Sequence, residues 1–254
     1  MPRIRFVTYN IHKGRGLDGR VRMDRVAKVL KELRPDIAAL QEVVCHHGRA
    51  LEDDQARYLA DALGRQYALG ETRKHFGGAY GNATLSRWDF DLVRQIDLSV
   101  PRREERGVLR TDVRVGSQKV HIFNVHFGTA RGERRAQANR LLDENFLRAV
   151  DISGPRIVLG DFNEWTRGLV TQVLSAEFHL TDLRVHLSRT RTYPAIFPLL
   201  HLDHIYFDYH FRVERAFFHA SRTALLASDH LPLVADLSLE GEEQVNIDAE
   251  LTAP

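Results

Sequence analysis

Short apolar runs that break off on a polar residue constrain this chain more than any other feature. Residues 3–9 end at Asn10, 36–41 at Glu42, 120–125 at His126, and 156–160 at Asp161, with Asn163 two positions further on. Their β-branched and aliphatic content reads as buried strand. An Asp229-His230 pair precedes a last such run, 231–237. Side chains at strand ends sit on elements rigid enough to aim them. Period-two geometry would send Asp161 and Asn163 to one side, although Gly160, Asp161 and Asn163 are equally turn formers. A carboxylate there can bind a cation or take a proton from water, and an amide can donate to a growing negative charge.

In chain order, His12-Lys13-Gly14-Arg15-Gly16 makes a basic glycine loop after the first strand. Met23, Val26, Ala27, Leu30 and Leu33 fall at helical spacing over 22–34, closed by Pro35. With the strand at 36–42, this strand–helix–strand start puts Asn10 and Glu42 at equivalent ends of parallel neighbours. A second helix is predicted over 51–63, from Leu51 to a stop at Gly64, then a loop from Gly77 leading into a strand that ends at Ser86. Strands follow at 90–98 and 108–115, flanking the charged knot 102–106. A helix is predicted over 133–150 and a short one over 168–176. Thr192, Pro194 and Pro198 brace a loop over 188–201, and strands follow at 202–207 and 212–218. No linker or repeat interrupts residues 1–238, which read as one domain; 239–254 reads as an acidic, flexible tail.

If the strand ends meet, they supply carboxylates, amides and two imidazoles. Oxygen donors with few nitrogens suit Mg²⁺ or Mn²⁺ better than zinc. Cys45 is the only cysteine, which rules out an intrachain disulfide and a Cys-rich zinc site. A formal net charge of +2 does not call for nucleic acid as partner. No apolar run is long enough to span a membrane and the N-terminus lacks a signal-peptide pattern, so the expected location is cytoplasmic.

The ordered set TYN, LQEV, GNATLS, NVHFG, LGDFNEW, LDHIYF and SDHLPLV, spread over 3–237, resembles the endonuclease/exonuclease/phosphatase superfamily. That superfamily of metal-dependent phosphodiesterases and phosphatases includes DNase I and exonuclease III-type nucleases, sphingomyelinases and inositol polyphosphate 5-phosphatases. The resemblance implies an α/β, four-layer α-β-β-α sandwich of two mostly antiparallel sheets with the site at one edge. It implies Glu42 as the main metal ligand, with Asn10 beside it and Asp229 helping. It makes Asp161 the base that orients and deprotonates water, and Asn163 the group that holds the phosphorus transition state. His230, braced by Asp203, and His126 would contact phosphate; the acidic partner of His126 would be Glu104 or Glu105. Asn82 would face the cleft and the substrate.

Taken singly, most of these residues have a structural reading: Asn10 as a turn residue, Glu42 as a solvated strand end, His230 as a cap. Asp203 does not, because a lone buried carboxylate is costly. His201 and His204 have no place in the family pattern and read as structural. His46 and His47 look like a metal pair, yet adjacent strand residues point to opposite faces. Lys13 and Arg15 could grip phosphate or line a solvated surface. In place of the basic, aromatic stretch of the repair nucleases stands the apolar, proline-braced segment 192–201. The small bacterial hydrolases of the superfamily are a better match. The leading substrate is therefore a small-molecule or lipid phosphoester, with 194–200 either touching an acyl chain or membrane surface or packing over the core. A DNA nuclease is the alternative, and an inactive binding protein is disfavoured by the intact set of acids.

Overall fold

The computed structural model describes residues 1–46, 54–142, 146–166, 168–188 and 191–240. Strand β1 (Arg3–Asn10) leads through a 3-10 turn (His12–Gly14) to α1 (Met23–Leu33), β2 (Ile37–Cys45), α2 (Gln55–Leu63), β3 (Gln66–His75) and β4 (Gly78–Ser86). Then come β5 (Phe90–Asp97), β6 (Gly107–Val115), β7 (Gln118–His126), α3 (Arg131–Leu141), β8 (Arg156–Asp161) and α4 (Leu169–Ala176). The chain finishes with β9 (Thr181–Asp182), β10 (Asp203–Phe207), β11 (Phe211–Phe218), α5 (Arg222–Ala227) and β12 (Leu233–Leu239).

The strands form two six-stranded sheets, ordered β11-β12-β1-β2-β4-β3 and β5-β6-β7-β8-β10-β9. Only β1–β2 and β7–β8 pair in parallel; the other described pairs are antiparallel. Ile4, Phe6, Ile37, Ile122, Ile157 and Leu159 belong to the core between the sheets. Val7, Tyr9, Ala38 and Leu40 join α1 and α2 in a second core, and Phe123, Val125 and Val158 join α3 and α4 in a third. These three apolar layers give the α-β-β-α sandwich.

Residue parity then places the polar strand ends. Asn10 continues the Ile4 and Phe6 row, Asp161 the Ile157 and Leu159 row, and His126 the Val120 and Ile122 row, so all three arrive on the inter-sheet side. On β10, Asp203 shares parity with Ile205 and Phe207, while His204 and Tyr206 lie on the opposite face.

Several expectations change. Strand β3 was not legible, because its sequence is polar and half-exposed along an edge. The predicted loop before the GNATLS strand shrinks to a turn, since the strand already begins at Gly78. Helix α2 starts at Gln55, N-capped by Asp54, and Leu51 lies outside the described residues. Helix α3 stops at Leu141 rather than reaching 150; Phe146 and Leu147 enter the core from a turn, and Val150 is exposed. Helix α5 was missed because it is short. Of the predicted tail, Leu239 closes β12 and 241–254 lie outside the described residues. Among the described residues no helix is long and apolar enough to cross a membrane.

On the helix side of the first sheet, Asp236 accepts from Arg5 Nε at 2.6 Å and Nη2 at 2.9 Å, and from Arg3 at 2.6 Å. Burial works against its ionisation, but the two guanidiniums prevail and hold its pKa below the usual carboxylate range. The resulting stabilisation is present above the unfolded pKa near ~4 and is lost as pH falls through the lower folded value. Asp236→Asn should therefore lower unfolding free energy by about 1–3 kcal/mol at pH 7, the scale of charge-assisted hydrogen bonds, since the arginines it leaves behind are partly exposed. In urea titrations it should also flatten the wild type's loss of stability at acid pH, and an unchanged acid limb would contradict this.

Candidate active site

Asp161 is the hub of the site. Strand register sets it opposite His126 on β7 and Asp203 on β10. Gly160 makes this approach feasible: at φ +153 its Cα faces the carbonyl of Val125, and a Cβ there would lie 1.9 Å from that oxygen. The Asp161 carboxylate accepts from Asn10 Nδ2 at 3.0 Å and from the backbone N–H of Asn163 at 2.9 Å. The Nε2 atoms of His126 and His230 lie 3.6 Å and 3.8 Å from its Oδ2. Burial pushes the Asp161 pKa up, against the pull of His230, and nearby Asp203 adds to the rise.

The two histidines differ in protonation. His230 Nδ1 sits 2.9 Å from Asp203 Oδ2, and the ring of Tyr193 lies 4.9 Å from the His230 ring. Burial disfavours the imidazolium, but Asp203 and Asp161 outweigh it and raise the His230 pKa, so this ring is cationic near neutrality. The Nδ1 of His126 instead meets Arg106 Nη1 at 3.0 Å. A guanidinium can only donate, so His126 accepts at Nδ1 and carries its proton on Nε2, facing Asp161. Burial, reinforced by Arg106, drives its pKa well below the ordinary value. The expected acidic brace for His126 is thus corrected. Glu104 reaches Arg106 at 2.8 Å and Arg73 at 3.0 Å, which leaves it one step behind Arg106 and not on the ring.

Glu42 owes its direction to a bulge. Residues 38 and 40 of β2 face the helices, and so do Val43 and Cys45, because the register against β4 shifts between Leu40 and Val43. Without the shift Glu42 would point beneath α2. With it, and with φ 57 at Glu42, the carboxylate turns to the strand ends. There it binds the ammonium of Lys13 and, at 3.3 Å, Asn10 Nδ2. Burial opposes its ionisation, a charge on His126 would lower its pKa most, and with His126 neutral the ammonium of Lys13 and the Asn10 amide pull in the same direction.

The structure gives three more of the expected residues their partners. Asn10 gives its carbonyl oxygen to the His12 N–H at 3.0 Å and its nitrogen to Glu42 and Asp161. It therefore bridges two carboxylates through its nitrogen, while one acceptor site of its oxygen is taken by His12. Asn82 is buried in the seam, donating to the carbonyls of Gly107 at 3.2 Å and Asn124 at 3.1 Å, so it ties the sheets together and does not line the cleft. Asn163 lies beyond the end of β8 at φ 49, with Nδ2 on the Phe127 carbonyl at 3.0 Å. It sits in a turn that brings its backbone N–H onto Asp161 and leaves its second amide hydrogen without a partner among the described residues. Asp229 stands at the rim, 3.4 Å from His12 Nδ1. Lys13, Arg106 and Tyr193 were not singled out for the contacts they make here, because each acts through a partner distant in sequence. His47 lies outside the described residues.

The donor chemistry fits a hard divalent cation. Glu42, Asp161 and Asp229 are the carboxylates of this region: Glu42 pairs with Lys13, Asp161 faces His230, and Asp229 lies 3.4 Å from His12 Nδ1. Glu42 and Asp229 would hold such an ion.

The profile of the Endonuclease/Exonuclease/phosphatase family matches residues 7–230. The chain is 32% identical over 250 residues to the uncharacterized protein YbhP of Escherichia coli, covering 92% of this chain and 95% of that one. Among solved structures, an endonuclease/exonuclease/phosphatase from Beutenbergia cavernae superposes with a TM-score of 0.73 at 25% identity, covering 95% of this chain and 72% of the other. A mannosyl-6-phosphatase of Bacteroides thetaiotaomicron gives a TM-score of 0.74 at 18% identity, covering 93% and 100%. The chain belongs to the Endonuclease/Exonuclease/phosphatase family. It is a phosphoesterase-type hydrolase of a family that generally depends on a divalent metal.

Because Arg106 is the largest of the charges that add to burial in suppressing His126, ahead of His230 and Lys13, Arg106→Met should raise the His126 pKa while leaving it below that of a free imidazole. Titration of its ring proton by NMR would show the shift. A His126 that titrates identically in both proteins would contradict the assigned tautomer.

Proposed function

We propose that this protein hydrolyses a small-molecule or lipid phosphoester by in-line attack of water, with Mg²⁺ or Mn²⁺ as cofactor. The observation that carries this reading is the Asp161 carboxylate, held by Asn10 and Asn163 and faced by one cationic and one neutral imidazole. Asp161 with a raised pKa is suited to take the proton of the attacking water at Oδ2. His230, kept charged by Asp203, faces the negative phosphate oxygens, and His126 donates to them from Nε2. Asn163 retains a second amide hydrogen for the transition state once the first is on Phe127. Glu42 and Asp229 would hold a divalent cation, which would supply positive charge against the phosphate.

The preference for small or lipid substrates rests on the rim. Ile196, Phe197 and Leu199 are 71%, 68% and 51% exposed, so they do not pack over the core as the simpler reading of this loop would have it. Behind them lies a cavity of about 610 Å³ lined by Leu187, Ala195, Phe217, Phe218 and Leu231, with Arg191 among its walls. Leu231 adjoins His230. None of the site's charged residues lines this cavity, so it meets the site only through that chain neighbour, and an apolar space so placed would suit an ester with a long hydrocarbon arm.

In a panel of nitrophenyl mono- and diesters, phospholipids and duplex DNA, hydrolysis of the small esters or phospholipids should proceed with Mg²⁺ or Mn²⁺ and stop with EDTA, while the DNA stays intact. Asp161→Asn should lower kcat by roughly 10²–10⁴-fold with the fold intact. In ¹⁸O-water the phosphate product should carry the label. Label-free phosphate would rule out direct attack by water, and nicked DNA with a steep salt dependence would transfer the proposal to a nuclease.

A further inference from the structure

On the other face of β10, away from Asp203, a second group of metal-competent side chains comes together. Asp182 on β9, His201 just before β10 and His204 on β10 each offer a ligand atom, and these atoms all lie within 4.8 Å of one another. His201 is only 5% exposed, yet neither of its ring nitrogens has a hydrogen-bond partner, and Asp182 Oδ2 accepts no hydrogen bond either. The His201 ring stands edge-on to His204 at 4.1 Å. A buried imidazole with both nitrogens idle is costly, so the arrangement asks for something between these groups.

We propose that Asp182, His201 and His204 bind a zinc-class transition-metal ion, which ties the loop over 191–202 to β9 and β10. His204 Nε2 meets the Glu164 carbonyl at 3.0 Å. That bond fixes its proton on Nε2, the outer-shell pattern of metal-bound histidine. The Tyr206 hydroxyl stands 3.4 Å from Nδ1, but its proton goes to Thr171 Oγ1 at 2.9 Å, since Thr171 donates its own to Glu164, so the Nδ1 lone pair stays available. Burial keeps both imidazoles unprotonated, with pKa values pushed down to about 3 for His201 and about 4 for His204. Two imidazoles and one carboxylate select zinc or its neighbours, whereas the all-oxygen set at Glu42 selects Mg²⁺ or Mn²⁺. Water would complete the coordination. The competing cation is Arg184, whose Nη2 lies 3.3 Å from Asp182 Oδ2. Its guanidinium must move aside for the ion. This site is independent of the hydrolase reading, since Asp203 and His204 send their side chains to opposite faces of β10.

The test uses the full chain, stripped with EDTA and dialysed against Zn²⁺ or Co²⁺ in excess Mg²⁺. One equivalent of zinc should remain by elemental analysis, with a rise in Tm, and Co²⁺ should give the visible absorption of a bound low-symmetry site. Asp182→Asn and His201→Gln should lose that equivalent, and Glu42→Gln should keep it. Arg184→Gln should tighten binding by on the order of tenfold, because a like charge is removed from beside the ion. Circular dichroism controls for folding; if His201→Gln fails to fold, Asp182→Asn and Arg184→Gln decide. No retained zinc in the wild type, equal zinc in Asp182→Asn, or loss of zinc in Glu42→Gln would each overturn the proposal.

Discussion

One buried carboxylate organises the molecule. Asp161 is 1% exposed, and an isolated charge at that depth would be prohibitive. It is tolerated because groups from both sheets reach it: Asn10 from β1, His126 from β7, His230 from the segment before β12, and the Asn163 backbone from the turn after β8. None of these is near the others in sequence. The site therefore depends on the two sheets closing in one register, and the closure in turn is favoured by satisfying this charge.

The register is held by uncharged amides. Gln41 Nε2, with its two hydrogens, lies 2.9 Å from Asn124 Oδ1 and 3.1 Å from both the Ala39 carbonyl and Thr8 Oγ1. Asn124 Nδ2 donates across the seam to the carbonyls of Leu40 at 3.1 Å and Ala83 at 2.9 Å. With Asn82 these side chains cross from one sheet to the other directly beneath the charged groups. Fully paired neutral groups give direction without the desolvation cost of ions. They do not titrate near neutrality, so the frame keeps its geometry while the acids and imidazoles above it change state. Glu42 escapes the frame through its bulge, which spaces a strongly acidic carboxylate away from the basic Asp161.

Legibility in the sequence followed the strength of local signals. Apolar runs such as 156–160 and 120–125 reported their strands, and Pro35 and Gly64 marked helix ends. Strand β3 gave no such signal because an edge strand buries little, and α3 was overextended because Phe146 and Leu147 have the same apolar character whether they enter the core from a helix or a turn. At the site, the residue types at the strand ends were readable, and so was the Asp203–His230 contact that the resemblance implied. The partner of His126 was not: Glu104 and Arg106 are two residues apart, and only the fold puts the guanidinium on the ring and the carboxylate behind it. Asn10 and Asn82 were recognised as important, but which atoms they offer depends on donors supplied from other strands.

The sequence by itself determined the family, the layered α/β architecture and the selection of acids, amides and imidazoles at the strand ends, because period-two alternation and strand termini are local properties. Only the tertiary structure decided charge and direction: that His230 is cationic and His126 neutral, that Glu42 turns out of its strand, that Asn10 bridges and Asn82 ties the seam. It also gathered Asp182, His201 and His204 behind the site. These are properties of distance between segments far apart in the chain, and pairwise electrostatics and hydrogen bonding are set by that distance, whatever the spacing in sequence.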